Sequence, residues 1–566
     1  MQSIWLVGIN AKFAHTNPAI RYLKNYADNP AVGIAEYTIN MPLESILSDL
    51  LNKGGRAYGF SVYIWNVDFC RSLGAALKRE GAAVLFGGPE ATYSPESFLE
   101  YGDVILGEGE KPFRAWTEAF FAGREPRRET PSLCFLEGGK KRTNPAAPPV
   151  ELQELEQPYF DLKELKNRVV YYESSRGCPF ACSYCLSSIE KGVRFAPAEK
   201  VKQDLELFRR AGVMRVKFVD RTFNADKARA KEIFRDIAEK GGNTGFHFEI
   251  AADLLDDETA EILSRAKKGL IQLEIGVQST HPPTLRAIRR EQDFSHTRRM
   301  VRRIAEGGNV HQHLDLIAGL PLEGLGEFAK SFDDVMDVGA EKVQLGFLKV
   351  LHGSAMEAEA ARYGIEYQKS APYEVTRTDA IAPSELALLH EIEYLLDRAY
   401  NSGLFPETVR WFSRQCGGYF AFFRKWNDLA KEGKPPRNWT EEELAASLLA
   451  FGERRNIPFG RDFLRWDALC RNFRPRLPEF LEQPGREAER RAFYRDFPEE
   501  WVPENRKGKR PWHYTRLEWF SADIPGYLRE GKLQEKETIV LFDYAADIRR
   551  VLGQEPFQEK SETGKQ

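Results

Sequence analysis

The stretch ESSRGCPFACSYC, residues 173–185, decides how the rest of the chain is read. It sets Cys178, Cys182 and Cys185 in the spacing C-x3-C-x2-C, with no fourth cysteine nearby. Soft thiolates suit iron–sulfur centres, and three of them hold three irons of a [4Fe–4S] cluster while leaving the fourth iron open. Three thiolates also suit a zinc site completed by a histidine. His247 and His15 are the nearest histidines in sequence, and only one paired C-x2-C unit is present. The other four cysteines, Cys70, Cys134, Cys416 and Cys470, are scattered and read as buried or inert thiols.

Working outward, residues 166–355 alternate strand and helix patterns. RVVYYESS leads into the cysteine loop, and VMRVKFVD, GFHFEIAA, LIQLEIGVQS, VHQHLDLIAGLP and EKVQLGFLKVL follow as five more strands. Six strand–helix units predict a partial (β/α)6 barrel of the TIM type, whose chemistry sits at the carboxyl ends of its strands. Polar residues mark those ends: Asp220 and Asn224, Glu249 and Asp253, Glu274 with Gln278 and Ser279, and Asp315 ahead of Gly319 and Pro321. Each acidic residue has a plainer reading as a structural hydrogen bond or helix cap.

Upstream, residues 1–125 alternate too: SIWLVGIN, VGIAEYTI, AYGFSVYIW, AVLFGGPE and DVILGEGE are apolar runs separated by amphipathic stretches. That pattern predicts a doubly wound, Rossmann-like α/β domain that binds ligands beyond the strand ends. Those ends carry Gly59, Ser61 and Tyr63, then Gly87 and Gly88, then Gly107, Glu108 and Gly109, where glycine lets a ligand approach the backbone. Residues 126–165 read as a charged, Pro- and Gly-rich linker. Residues 356–566 show helical periodicity and many tryptophans, which predicts a mainly helical capping domain with an aromatic core. ENRKGKRPWHYTRLEW, basic and aromatic, reads as a solvated loop more readily than as a single-strand nucleic-acid site. The polar end QEKSETGKQ reads as disordered.

The chain has 566 residues, 42% hydrophobic and 29% charged, with a formal net charge of −3. That balance argues against nucleic acid or an anionic membrane as partner. No apolar run is long enough to span a bilayer, and no signal peptide is visible at the N-terminus. The expected compartment is a reducing cytoplasm.

The cysteine loop, with the aromatic Tyr184 before its last thiol, resembles the signature of radical S-adenosylmethionine (SAM) enzymes. The resemblance covers the whole middle domain and implies that SAM chelates the open iron. It implies that Asp220, in FVDRTFN rather than the usual Gly-Gly-Glu, meets the SAM amino group. Glu274, Gln278 and Ser279 would approach ribose and carboxylate, and the LIAGLP segment with Gly319 would pack by adenine. The N-terminal domain resembles cobalamin-binding domains, in which Ser61 and the pair Gly87–Gly88 would flank the cofactor's nucleotide tail, with Gly107 on the next loop. The D-x-H-x-x-G motif is absent; His15 could face cobalt, cap the following helix or be solvated. Domains in this order are similar to cobalamin-dependent radical SAM proteins, in a branch with an uncharacterised C-terminal domain.

The resemblance implies reductive cleavage of SAM at the cluster to methionine and a 5′-deoxyadenosyl radical. It further implies methyl transfer to an unactivated carbon of a small-molecule or peptide substrate, with a one-electron donor such as flavodoxin or ferredoxin. Alternatives at this stage are a non-methylating rearrangement or oxidation, a methylthiotransferase with a second cluster, and a cobalamin- and cluster-binding sensor without turnover.

Overall fold

A computed structural model describes residues 3–159, 165–166, 168–189, 192–432, 436–471 and 476–552. The chain forms two compact units, Met1–Gly324 with Gly346–Ala382, and Leu325–Leu345 with Pro383–Gln566. Among the described residues, no helix is long and apolar enough to cross a membrane.

The first unit opens with strands β1 (Ile4–Asn10), β2 (Val32–Thr38), β3 (Ala57–Ser61), β4 (Ala83–Gly87) and β5 (Asp103–Ile105). They pair in parallel in the order β2-β1-β3-β4-β5. Side chains alternate across a strand, so Ile4 and Leu6 enter one core while Val7 and Ile9 enter the other. Every residue of β3 is buried, as expected for a parallel sheet covered by helices on both faces. This is the doubly wound domain expected from the sequence.

The stretch expected as a linker is more ordered than its composition suggests. Within it β6 (Leu133–Glu137) and β7 (Lys140–Thr143) form a hairpin that extends the sheet antiparallel beyond β5. The two residues between them, Gly138 and Gly139, both have positive φ, which a tight hairpin turn demands. β7 is exposed throughout, so it carries no apolar alternation by which sequence could announce it. Residues 160–162 of ELEQPYFDL and the C-terminal QEKSETGKQ lie outside the described residues.

The central strands follow: β8 (Val169–Tyr172), β9 (Ser175–Cys178), β10 (Gly192–Phe195), β11 (Arg215–Phe218), β12 (Gly245–Ile250), β13 (Ile271–Gln278) and β14 (His311–Ala318). β8, β11, β12, β13 and β14 are parallel neighbours in that order, and β9 pairs with β10 as a separate hairpin. The sixth expected strand, β15 (Lys342–Phe347), forms and runs across the boundary between the two units. Gly346–Ala382 pack with the first unit, beyond the expected domain boundary at residue 355. There Val350 donates to the carbonyl of Tyr373, and Val375 to that of Leu348, which folds the segment back on itself.

The second unit is mainly helical, with one antiparallel sheet of β18 (Thr515–Phe520), β19 (Thr538–Asp543) and β20 (Ile548–Val551), after the short β16 (Glu366–Tyr367) and β17 (Val375–Arg377) of the first unit. Trp426 and Trp466 are fully buried, as core aromatics should be. In the basic stretch Lys507, Lys509 and Arg510 are exposed, while Trp519 is buried. Glu518 has no exposed surface and accepts from Arg465 at 2.6 Å, Arg516 at 2.6 Å and Arg490 at 3.1 Å. Glu518→Ala strips the shared acceptor from these cations, at a cost of about 3–5 kcal/mol. Calorimetry should show an unfolding transition lowered by several degrees, with no change in iron content.

Candidate functional site

Both parallel sheets open at their carboxyl ends onto one cavity of about 750 Å³ within the first unit. From the N-terminal domain its wall includes Ser61, Gly87, Gly88 and Gly107; from the barrel it includes Gly177, Lys217, Arg221 and Glu249. Two contacts hold these edges together. Val169 of β8 donates to the carbonyl of Ala14 at 2.8 Å and bridges His15 in parallel register, so the first strand–helix loop covers the barrel's edge strand. Arg176 on β9 meets Glu110 at 2.5 Å, Glu173 at 2.9 Å and Glu108 at 3.4 Å, tying the cysteine strand to the turn after β5. Burial alone would lift Glu108, yet Arg176 and Arg194 hold it below the usual carboxylate range.

The glycines supply the cradle. Gly88 has φ +101°, and a Cβ there would stand 2.5 Å from the Val62 carbonyl oxygen. A Cβ on Gly87 would meet nothing closer than 3.9 Å, and one on Gly107 (φ +73°) nothing within 4 Å. The backbone is therefore bare toward the cavity, where a bulky ligand can lie against it. His15 lines the same cavity, edge-on to Tyr171 with ring centroids 5.5 Å apart. Asn17, not His15, caps the following helix by accepting from the Ile20 N–H.

Cys178 ends β9, and Cys182 and Cys185 lie on the turn that follows. Cys178 Sγ is 3.5 Å from Thr222 Oγ1, and Cys182 Sγ is 3.8 Å from the Arg290 guanidinium. Burial pushes the Cys182 thiol up, opposed by Arg290. Burial does the same to Tyr184 beside it. The histidines that might have completed a zinc site are engaged elsewhere: His247 Nε2 is 2.9 Å from Glu274, and His15 Nδ1 is 3.4 Å from Tyr171. Among the described residues no three His, Cys, Asp or Glu side chains are gathered to hold a single metal ion. Cys70 and Cys134 are packed in the N-terminal core, which leaves no thiols there for a second cluster. The three-thiol turn, unfilled by any other protein thiol, fits a cluster with one open iron.

The strand-end residues separate into two groups. Asp220, expected at an amino group, is fully buried. Its carboxylate accepts from Ser174 N at 2.7 Å, Ser174 Oγ at 2.5 Å and Ser175 N at 3.1 Å, so it braces the start of the cysteine strand. Ser279 is also fully buried and donates to Glu323 at 2.6 Å, which makes it a brace of the β13 end. Gln278 adopts φ +70° where the β13–β14 register slips, a strained position that aims the chain away from regular pairing. Gly319 follows β14 at φ +81°.

The inward face of the barrel is a polar layer that the strand-end search only partly found. On β13 the burial pattern alternates strictly, with Ile271, Leu273, Ile275 and Val277 turned to the core. Period two then sends Gln272, Glu274, Gly276 and Gln278 to the opposite face. The same parity places Lys217, His247, Glu249, His313 and Asp315 on that face, in register across β11 to β14. Glu274 is the hub: His247 Nε2 lies at 2.9 Å, Lys217 Nζ at 3.5 Å and His313 Nδ1 at 4.0 Å. Burial would lift its carboxyl, but these partners hold it well below the usual range. Glu249 is pushed by burial up to about 7, with the Arg221 and Lys217 charges opposing the rise and the Glu274 and Asp315 charges adding to it. Period-two alternation within β11, β12 and β14 points to Lys217, His247 and His313 once the strands are set in register with Glu274; Arg290, distant in sequence, left no such signal.

Family models match the chain in three blocks: a B12 binding domain over residues 4–117, the Radical SAM superfamily over 172–335, and a protein of unknown function (DUF4080) over 361–542. The fold and site thus define a radical SAM protein that carries a cobalamin-binding domain, with [4Fe–4S], SAM and cobalamin as its cofactor set. Within that class the chain also carries, over residues 361–542, the match to the DUF4080 domain. It is 25% identical over 370 residues to the cobalamin-dependent radical SAM methyltransferase TokK of Streptomyces tokunonensis, covering 60% of this chain and 54% of that one. It is 29% identical over 223 residues to an uncharacterised methyltransferase of Pyrococcus horikoshii, covering 37% and 48%. The chain spans about half the length of the curated relatives it matches. Its fold is similar to that of the cobalamin-dependent SAM radical enzyme OxsB with aqua-cobalamin bound, with a TM-score of 0.59, 14% identity, and 83% of this chain and 79% of that one covered.

Two outcomes follow from this geometry. Asp220→Ala frees the start of the cysteine strand and should weaken iron loading about tenfold, the scale seen when groups that orient metal ligands are removed; iron and sulfide analysis of anaerobically reconstituted protein checks it. Glu249 has a folded pKa raised from 4.5 to about 7, so it costs stability progressively as pH rises between those values. Glu249→Gln should abolish that loss, worth up to about 3 kcal/mol above neutrality; denaturant titrations of the cofactor-free protein across pH 4 to 8 would show the flattened profile.

Proposed function

We propose that the protein is a cobalamin- and SAM-dependent radical methyltransferase acting on an unactivated carbon of a small-molecule or peptide substrate. The observation that carries this reading is the single cavity walled on one side by Ser61, Gly87, Gly88 and Gly107 and on the other by the cysteine strand and the barrel's polar face. When bound, the reduced cluster with SAM supplies one-electron radical chemistry and cobalamin supplies the methyl group.

In this reading Cys178, Cys182 and Cys185 hold three irons, and Tyr184 with Arg290 closes the turn over them. Asp220 and Ser279 act from behind, fixing the cysteine strand and the β13 end. Glu274, Gln278 and Gly319 lie along the strand ends where SAM would bind. Lys217, Arg221 and Glu249 face the space left for substrate; near neutral pH Glu249 can hold or release a proton there. A one-electron donor such as flavodoxin or ferredoxin completes the scheme.

The test is anaerobic turnover with reductant and methyl-deuterated SAM in the presence of cell-extract metabolites. Formation of 5′-deoxyadenosine together with a product heavier by one labelled methyl group is expected, and Cys182→Ala should abolish both. A product formed without label would replace methyl transfer by rearrangement or oxidation. An intact cluster that yields no 5′-deoxyadenosine would make the protein a sensor and overturn the enzyme reading.

A further inference from the structure

One short segment of the first unit touches both cofactor loops. Met356 donates its backbone N–H to the carbonyl of Ser183, between Cys182 and Tyr184, at 2.8 Å. Three residues earlier Gly353, at φ +80°, presses against Tyr93: a Cβ there would stand 2.5 Å from the ring. Tyr93 ends the helix Pro89–Tyr93, which begins directly after Gly88. On the same helix, Glu90 accepts a hydrogen bond from the Tyr373 hydroxyl at 2.9 Å, with both residues buried.

The piece between these anchors is stiff. Gly353 N–H donates to Glu357 Oε2 at 2.7 Å, His352 Nδ1 lies 2.7 Å from Glu357 Oε1, and Ser354 caps the helix Ala355–Glu359. The His352 ring sits edge-on to Tyr373, with centroids 4.6 Å apart. Val350 N–H donates to the Tyr373 carbonyl at 3.0 Å, so Tyr373 and the turn move as one body. Ala371, two residues before Tyr373, packs into the core beneath the N-terminal sheet. Neither anchor tolerates slack: a larger residue at 353 collides with Tyr93, and loss of the phenol leaves the Glu90 carboxyl buried without its donor.

We propose that Gly353, Tyr373 and Glu90 are positioning residues that hold the Gly87–Gly88 turn at a fixed distance from the cysteine loop, so that filling one cofactor site changes the affinity of the other. The inference rests on the reading that cobalamin and a cluster both bind this chain. Coupling of this kind is reciprocal by thermodynamic linkage: each ligand changes the other's affinity by the same factor.

The test is equilibrium titration of hydroxocobalamin into the protein with and without its reconstituted cluster, paired with the electron paramagnetic resonance spectrum of the reduced cluster before and after cobalamin. In the native protein the cluster should change cobalamin affinity about fivefold or more, the lower end of measured couplings between sites. The cluster signal should shift when cobalamin binds. Tyr373→Phe and Glu90→Ala should remove both effects while cobalamin still binds. Glu90→Gln, which still accepts from the phenol, should keep them. Equal affinities in the two native states, or full coupling in Tyr373→Phe, would overturn the proposal. Failure to bind cobalamin at all would instead sink the cofactor reading beneath it. Coupling without methyl transfer would leave this inference standing and remove only the methyltransferase assignment.

Discussion

The buried carboxylate of Asp220 is the constraint on which the site depends. A carboxyl group removed from water must find donors or give up its charge. Here Ser174 and Ser175 provide three, and the Arg229 charge lies nearby to oppose the upward push of burial. Arg229 in turn donates to the carbonyl of Ser174 at 3.0 Å and to that of Ala196 at 3.0 Å. The Ser174 peptide is thus gripped at its N–H, its side chain and its carbonyl. Charge-assisted hydrogen bonds each contribute about 1.5–3 kcal/mol net. With that peptide fixed, β9 must leave β8 at one angle, and the thiols that follow are delivered to one place at the rim of the cavity.

Geometry at the other wall follows from a rule of sheets rather than from one residue. Parallel strands gather their ligands at the carboxyl ends. Two parallel sheets can share a ligand space only if those ends face each other. The bridge from His15 to Val169 achieves this by laying the first loop of one sheet along the edge strand of the other. The same contact protects an edge that would otherwise present unpaired backbone to solvent. Thr16 adds a buried hydroxyl contact of 2.8 Å to Tyr159, which ties the join to the stretch leading into the barrel. His15 is therefore held by its backbone for a structural reason, while its ring is left at the cavity surface.

What sequence could show depended on whether a feature is local. The thiol spacing, the Gly87–Gly88 pair and the apolar strands are contiguous patterns, and the structure places them in the elements they suggested. Asp220 and Ser279 stand at strand ends, where the resemblance expects them to approach SAM, and both are fully buried. Their complete burial arises from partners 44 to 46 residues away, Ser174 for one and Glu323 for the other, which spacing along the chain does not reveal. The hairpin of β6 and β7 was hidden for the opposite reason: its outer strand faces water and carries no apolar code. Residues 356–382, expected with the C-terminal domain, pack with the first unit through Tyr373 and Val375, which bond back to Val350, Leu348 and Glu90, and spacing along the chain does not announce such contacts.

The barrel's inner layer shows how one strand pair separates two chemically identical groups. Glu249 and Glu274 are direct neighbours across β12 and β13. Both are largely removed from water, and two like charges at that spacing disfavour each other. Glu274 has His247, Lys217 and His313 around it and keeps its charge. Among the described residues Glu249 has only the more distant charges of Arg221 and Lys217 to oppose burial and no bonded cation, and the retained charge of Glu274 adds to the burial that lifts it toward neutrality. Carboxyls driven apart in this way take different roles, one a fixed anion and the other a group that can carry a proton. The fixed anion is paired with His247 at 2.9 Å and lies within 4.0 Å of Lys217 and His313, and the proton carrier lines the cavity. Any substrate admitted there meets a titratable group whose state it can itself alter, since a cation placed near Glu249 would lower its pKa and an apolar surface would raise it further.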